Sequence, residues 1–175
     1  ITLGDPVPWF RGRNLLGQPF DLHVAAGRWV VLAFFGTLED PEALRRLTAL
    51  AEQTRPFSED HLSVYVFLPE PVDDLAKLLP FSGQALRFIA DYDGAIGKYF
   101  HADEKRRTIV LDPMLRAIAD ITWDIPNHEA MLSGLLAELP KVDDMAGVPL
   151  TAPALIVPRV FDFPLCEMLV GLYDK

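Results

Sequence analysis

Trp29-Val30-Val31-Leu32-Ala33-Phe34-Phe35 places seven apolar residues in a row with no alternation. A strand with one face in water alternates apolar and polar residues. An unbroken run reads instead as a strand buried on both faces, the centre of a sheet with helices on each side. Leu62-Ser63-Val64-Tyr65-Val66-Phe67-Leu68 is a second such strand, stopped by Pro69 and Pro71, and Thr108-Ile109-Val110-Leu111-Asp112 is a third. The run at Trp29 is far too short to cross a bilayer, which takes about 20 apolar residues.

Helical signals lie between these strands. Gly36 ends the first. Asp40-Pro41-Glu42 then combines an N-cap, a proline at the first helical position and an acid in the first turn. The spacing predicts a helix from Asp40 to about Gln53, with Ala43, Leu47 and Leu50 inward and Arg45, Arg46 and Glu52 outward. Short helices are expected at Val72–Leu79 and Ala95–Phe100, and a strand at Leu86–Ala90. Asp112-Pro113 turns the third strand into a hairpin whose second arm is Arg116–Thr122. Asn127 is expected to cap a helix from His128 to about Leu139. Before Trp29 the chain is loop-rich, with short extended pieces at Trp9-Phe10 and Phe20–Leu22. Strand and helix alternate, so the fold class is α/β, a mixed central sheet flanked by helices.

At 175 residues the chain has room for one ordinary domain, expected over residues 1–141. Residues 142–154 carry Asp143, Asp144, Gly147, Pro149 and Pro153 and read as a linker. A strand is expected at Ala154–Val157 and an amphipathic helix at Pro164–Tyr173, with Leu165, Met168, Leu169 and Leu172 on its apolar face. Charge excludes some functions. Sixteen Lys and Arg against 25 Asp and Glu give a net charge of −9, the wrong sign for a nucleic-acid binder and unfavourable for anionic lipid. Cys166 is the one cysteine, so neither an intramolecular disulfide nor a CxxC redox pair can form. The expected compartment is the cytoplasm, and no cofactor is expected. His101-Ala102-Asp103 has the His-x-Asp spacing of two metal ligands, but its short polar turn reads as surface.

The order of these pieces resembles the peroxiredoxin family, of the alkyl hydroperoxide reductase/thiol-specific antioxidant (AhpC/TSA) type, with its thioredoxin-like fold. Gly4-Asp5-Pro6-Val7-Pro8-Trp9-Phe10 is similar to that family's opening Gly-Asp-x-Ala-Pro-x-Phe. Gly17-Gln18-Pro19-Phe20-Asp21-Leu22 is similar to the stretch that follows, Trp29–Phe35 to the strand before the active site, and Arg106–Pro113 to the Arg-x-x-Phe-Ile-Ile-Asp strand. The family's active site reads Pro-x-x-x-Thr-x-x-Cys, followed by Pro, with a distant Arg. The resemblance puts Thr37 on the Thr, Asp40 on the Cys, Pro41 on the following Pro and Arg106 on the Arg, with Ala33 where the first Pro stands.

A remnant peroxidatic site of Thr37, Asp40 and Arg106 is therefore expected at the start of the first long helix. Peroxide reduction needs a thiolate to attack oxygen, giving a sulfenic acid. A carboxylate has no comparable two-electron couple. From the residues alone, Asp40 is a helix cap or a functional carboxylate. Arg106 belongs to a solvated charge run with Arg107, pairs with Asp40, or binds an external anion.

Residues 153–175 resemble the opening of a prolyl-hydroxylase-type oxygenase dependent on iron and 2-oxoglutarate, through Pro153-Ala154-Leu155-Ile156-Val157-Pro158-Arg159-Val160-Phe161 and the Cys166-containing helix after it. The resemblance implies that an oxygenase domain follows. Two functions are weighed. The first is a module without peroxidase activity that dimerises, senses a small ligand or positions a downstream catalytic domain. The second is a thiol-dependent peroxidase using Cys166 or a partner's sulfur. A homo-oligomer is expected in either case.

Overall fold

A computed structural model describes residues 1–73, 75–81, 85–145 and 163–173. The strands are β1 (Arg11–Asn14), β2 (Pro19–Asp21), β3 (Trp29–Phe34), β4 (Leu62–Leu68), β5 (Leu86–Ala90), β6 (Arg107–Leu111) and β7 (Ala117–Thr122). The helices are α1 (Pro41–Thr54), α2 (Ala95–Tyr99), α3 (His128–Ala137), α4 (Val142–Met145) and α5 (Phe163–Tyr173). The seven strands form one mixed sheet in the order β2-β1-β5-β4-β3-β6-β7, in which β3, β4 and β5 run parallel and the other neighbours pair antiparallel. The fold is α/β with a mixed central sheet, as the alternation of elements predicts, and thioredoxin-like, as the family resemblance implies.

The centre of the sheet explains the unbroken apolar runs. Side chains alternate across a strand, and β3 feeds both faces. Trp29, Val31 and Ala33 join one core with Leu47 and Leu50 of α1, Val64 and Val66 of β4, and Leu132 and Leu136 of α3. Val30, Leu32 and Phe34 join the opposite core with Phe10, Leu22, Phe67, Ile96 and Phe100. Every residue of β3 and β4 is buried. Phe100 meets Phe34 at 5.4 Å and Phe10 at 5.7 Å between ring centroids.

Several elements depart from expectation. Residues 11–14 form β1 by pairing on both sides: Arg11, Gly12 and Arg13 stand opposite Asp21, Phe20 and Pro19 of β2, and Arg13 and Asn14 opposite Ala90 and Ile89 of β5. Leu22–Ala25 is a 3-10 turn that buries Leu22 and Ala25. The expected helix over Val72–Leu79 is a 3-10 segment at Leu75–Phe81. Asn127 adopts left-handed backbone (φ 65°) and makes no side-chain cap. Val142–Met145 is helical where a linker is expected, and Val142 packs on the core beside α1 and α3. The indole of Trp29 donates to the Pro140 carbonyl at 2.9 Å, tying the chain to the sheet just before α4. Pro164–Tyr173 lies within α5, but the expected strand at 154–157 and the oxygenase-like stretch from 153 to 162 fall outside the described residues.

Candidate functional site

The sheet brings the site together at one end. In the antiparallel pairing of β3 with β6, Phe34 stands opposite Arg107. The residue before β6, Arg106, therefore lies at the end of the sheet where the chain leaves β3 for α1. Gly36 makes that approach possible. Its backbone is left-handed (φ 82°), and a Cβ there would stand 2.9 Å from Arg106 Nε and 3.1 Å from Nη2. The guanidinium passes over this bare backbone to reach the head of α1.

There Arg106 Nη1 donates to Asp40 Oδ2 in a partly buried ion pair. Asp40 is also the N-cap of α1: its Oδ1 accepts the Glu42 backbone N–H at 2.9 Å, with Pro41 at the first helical position. Both carboxylate oxygens are thus engaged. The Arg106 hydrogen bond, supported by the Glu42 N–H, holds the carboxyl below its ordinary range near 3.8. A carboxylate held this way is a weak proton acceptor and carries no electrons to give to a peroxide.

Thr37 contributes differently. Its backbone carbonyl accepts the Asp40 N–H at 3.4 Å. Its hydroxyl accepts the Glu39 N–H at 3.2 Å and donates to Glu70, in the connection that follows β4. The structure thus joins Asp40 to Arg106 and turns the Thr37 hydroxyl away toward Glu70. Arg107, the neighbour in the charge run, is buried and paired with Asp120 at 2.8 Å.

Trp123 is the site residue that sequence reading missed. The Arg106 and Arg46 guanidinium carbons stand 5.0 Å and 4.5 Å from its ring centroid, within cation–π range. Its backbone N–H donates to the Arg106 carbonyl, extending the β6–β7 pairing, and its ring packs on Phe35 at 5.3 Å. Only the β6–β7 register reveals that Trp123 stands opposite Arg106. Arg46, expected to face outward, is drawn inward by this ring: its side chain is 13% exposed. Glu42 accepts from both Arg45 and Arg46, at 2.8–2.9 Å, and the two cations hold its carboxyl down at about 2. Arg45 continues to Glu129 of α3 at 2.7 Å. One network thus runs from Asp40 through Arg106, Trp123, Arg46 and Glu42 to α3.

His101 adopts left-handed backbone (φ 52°) in the turn after α2, and the nearest carboxylate paired with it is Glu104, at 4.0 Å. Among the described residues no group of three His, Cys, Asp or Glu side chains is arranged to hold a metal ion. Cys166 lies exposed on α5.

Residues 3–118 match the AhpC/TSA family. The chain belongs to that family. Solved structures agree on the fold. The peroxidoxin BcpB of Mycobacterium tuberculosis superposes with a TM-score of 0.66 at 20% identity, covering 81% of this chain and 99% of its own. A yeast mitochondrial 1-Cys peroxiredoxin gives 0.65 at 12% identity, covering 78% and 75%. PrxQ of Xylella fastidiosa gives 0.62 at 17% identity, covering 78% and 96%. Comparison with curated proteins yields no significant match.

Proposed function

We propose that this AhpC/TSA domain does no peroxidase chemistry and serves as a dimerisation, sensing or positioning module of a larger protein with a downstream oxygenase domain. The observation that carries the reading is the Asp40–Arg106 ion pair at the head of α1. In the family resemblance, Asp40 stands where the peroxidatic cysteine would be. A thiolate there would have the Arg106 charge and the N-terminal end of α1 to stabilise it. The carboxylate takes over both partners and closes the position from within. The peroxiredoxin scaffold is then kept for what surrounds the site. The oxygenase-like residues 153–161 support the positioning role.

The decisive assay is hydrogen peroxide consumption by the chain with a thiol reductant. No turnover above the buffer blank is expected, and none is expected to disappear on Cys166→Ser. Steady turnover abolished by Cys166→Ser would establish the thiol-peroxidase alternative. Self-association is checked by light scattering: a dimer is expected at tens of micromolar, and a strict monomer would remove dimerisation from the proposal.

A further inference from the structure

Beside the closed position lies an open one. The start of α1 and the connection after β4 enclose a cleft of about 600 Å³, within the 300–1,000 Å³ typical of small-molecule sites. Its apolar lining comes from Leu38, Leu44, Leu68, Val72 and Phe81. Of these, Leu68 is buried at 1% exposure, while Leu44 stands 41% exposed. Among the described residues the charged lining is unbalanced: Glu39, Glu70 and Asp73 supply three carboxylates, and Lys77 one ammonium. Thr37 bonds Glu70 and so fastens one side of the cleft to the other, next to Asp40.

We infer that this cleft binds a small organic cation, a primary amine on an apolar chain or ring. The apolar walls supply contact area for the body of such a ligand. The excess of carboxylates favours an ammonium head and disfavours an acid of the same shape. The chain's net charge of −9 adds to that preference at long range. Arg106 is not part of the cation balance, because its charge is turned onto Asp40. Glu70 serves twice, as the acceptor for Thr37 and as part of the negative lining. The inference gives the sensing form of the proposed function a site and a ligand class, and it rests on that reading for its biological sense alone.

Titration calorimetry of the 175-residue chain with n-hexylammonium, n-hexanol and n-hexanoate separates charge from shape. At low salt, hexylammonium is expected to bind at least about tenfold more tightly than hexanoate, with hexanol between them. Glu70→Gln combined with Asp73→Asn should weaken hexylammonium about fivefold or more and leave hexanol unchanged, because the Gln carboxamide still accepts from Thr37. Leu44→Ala, at a half-exposed position, should weaken all three ligands without threatening the fold. Equal binding of acid and amine, no heat from hexylammonium up to about 10 mM, or amine binding indifferent to the neutralised carboxylates would each overturn the inference. Failure here leaves the peroxide assay untouched, and peroxide turnover leaves the titration readable, so the two readings fall separately.

Discussion

Asp40 does two jobs whose requirements coincide. A helix cap needs a short acceptor with extended backbone, and an arginine partner needs a carboxylate with a free oxygen. Asp40 offers Oδ1 to the Glu42 N–H and Oδ2 to Arg106. The fields acting on the carboxylate should act on a thiol in its place. An Asp40→Cys thiol should therefore titrate below the ordinary 8.5, as read by ultraviolet thiolate absorbance, and Arg106→Gln in that background should return it upward. A thiol with an unshifted titration would show that Arg106 and the helix exert no field there. Gly36 carries the other half of the arrangement. Gly36→Ala forces a side chain into left-handed backbone and against the guanidinium, for an expected loss of roughly 1–3 kcal/mol in urea unfolding. Combining it with Arg106→Ala should cost less than the sum of the single changes, because the clash goes with the side chain.

At the scale of elements, legibility followed the range of the forces involved. Strands β3, β4 and β6 and helix α1 were readable because burial on both faces and the Asp40-Pro41-Glu42 start are written in consecutive residues. Strand β1 was not, since Arg11–Asn14 is a polar stretch with no buried face and extends because β2 and β5 pair with it on either side. The same limit applied to the site. Asp40 and Arg106 were reachable through the family pattern, while Trp123 entered only with the β6–β7 register, and the turn of Thr37 toward Glu70 depends on where the chain goes after β4. Asn127 shows a local signal misread: Asn before a helix suggests a side-chain cap, yet its use here is the left-handed conformation that Asn tolerates. Asn127→Gly should then be nearly neutral and Asn127→Ala should destabilise by about 1 kcal/mol, as compared by chemical denaturation. Equal losses from the two changes would restore the cap interpretation.

Across the whole molecule, the titration of a few groups shapes how the fold meets acid. His128, at the start of α3, is 4% exposed, and its Nε2 lies 3.1 Å from the buried Thr108 hydroxyl of β6. Burial, reinforced by the nearby Arg46 charge and only partly opposed by Glu129, lowers its pKa from 6.5 to about 4. Above pH 6.5 the imidazole is neutral in both folded and unfolded chains and stability is at its full value. Between pH 6.5 and about 4 the unfolded chain takes up a proton that the folded chain refuses, so stability falls by roughly 3 kcal/mol. That is a large share of a typical 5–15 kcal/mol. Paired carboxylates act lower. Asp40, Glu42 and Asp124 are held down by Arg106, by Arg45 and Arg46, and by Thr122 with Lys105. Their contribution is present above the ordinary carboxylate range and fades as pH falls through their folded values, about 2 for Glu42 and Asp124. Asp91 runs the other way: burial raises its pKa against the Ile96 and Gly97 N–H groups that bond it, so the folded chain takes up this proton above the ordinary 3.8 and gains stability as pH falls to that value. Urea midpoints should therefore decline in two stages, first from pH 6.5 to 4 and again below 4. His128→Gln keeps a partner for Thr108 and removes the titrating imidazole. It should lower the midpoint at pH 7 while flattening the first stage and leaving the second. An unchanged slope between pH 6.5 and 4 in that variant would mean that another group governs the acid response.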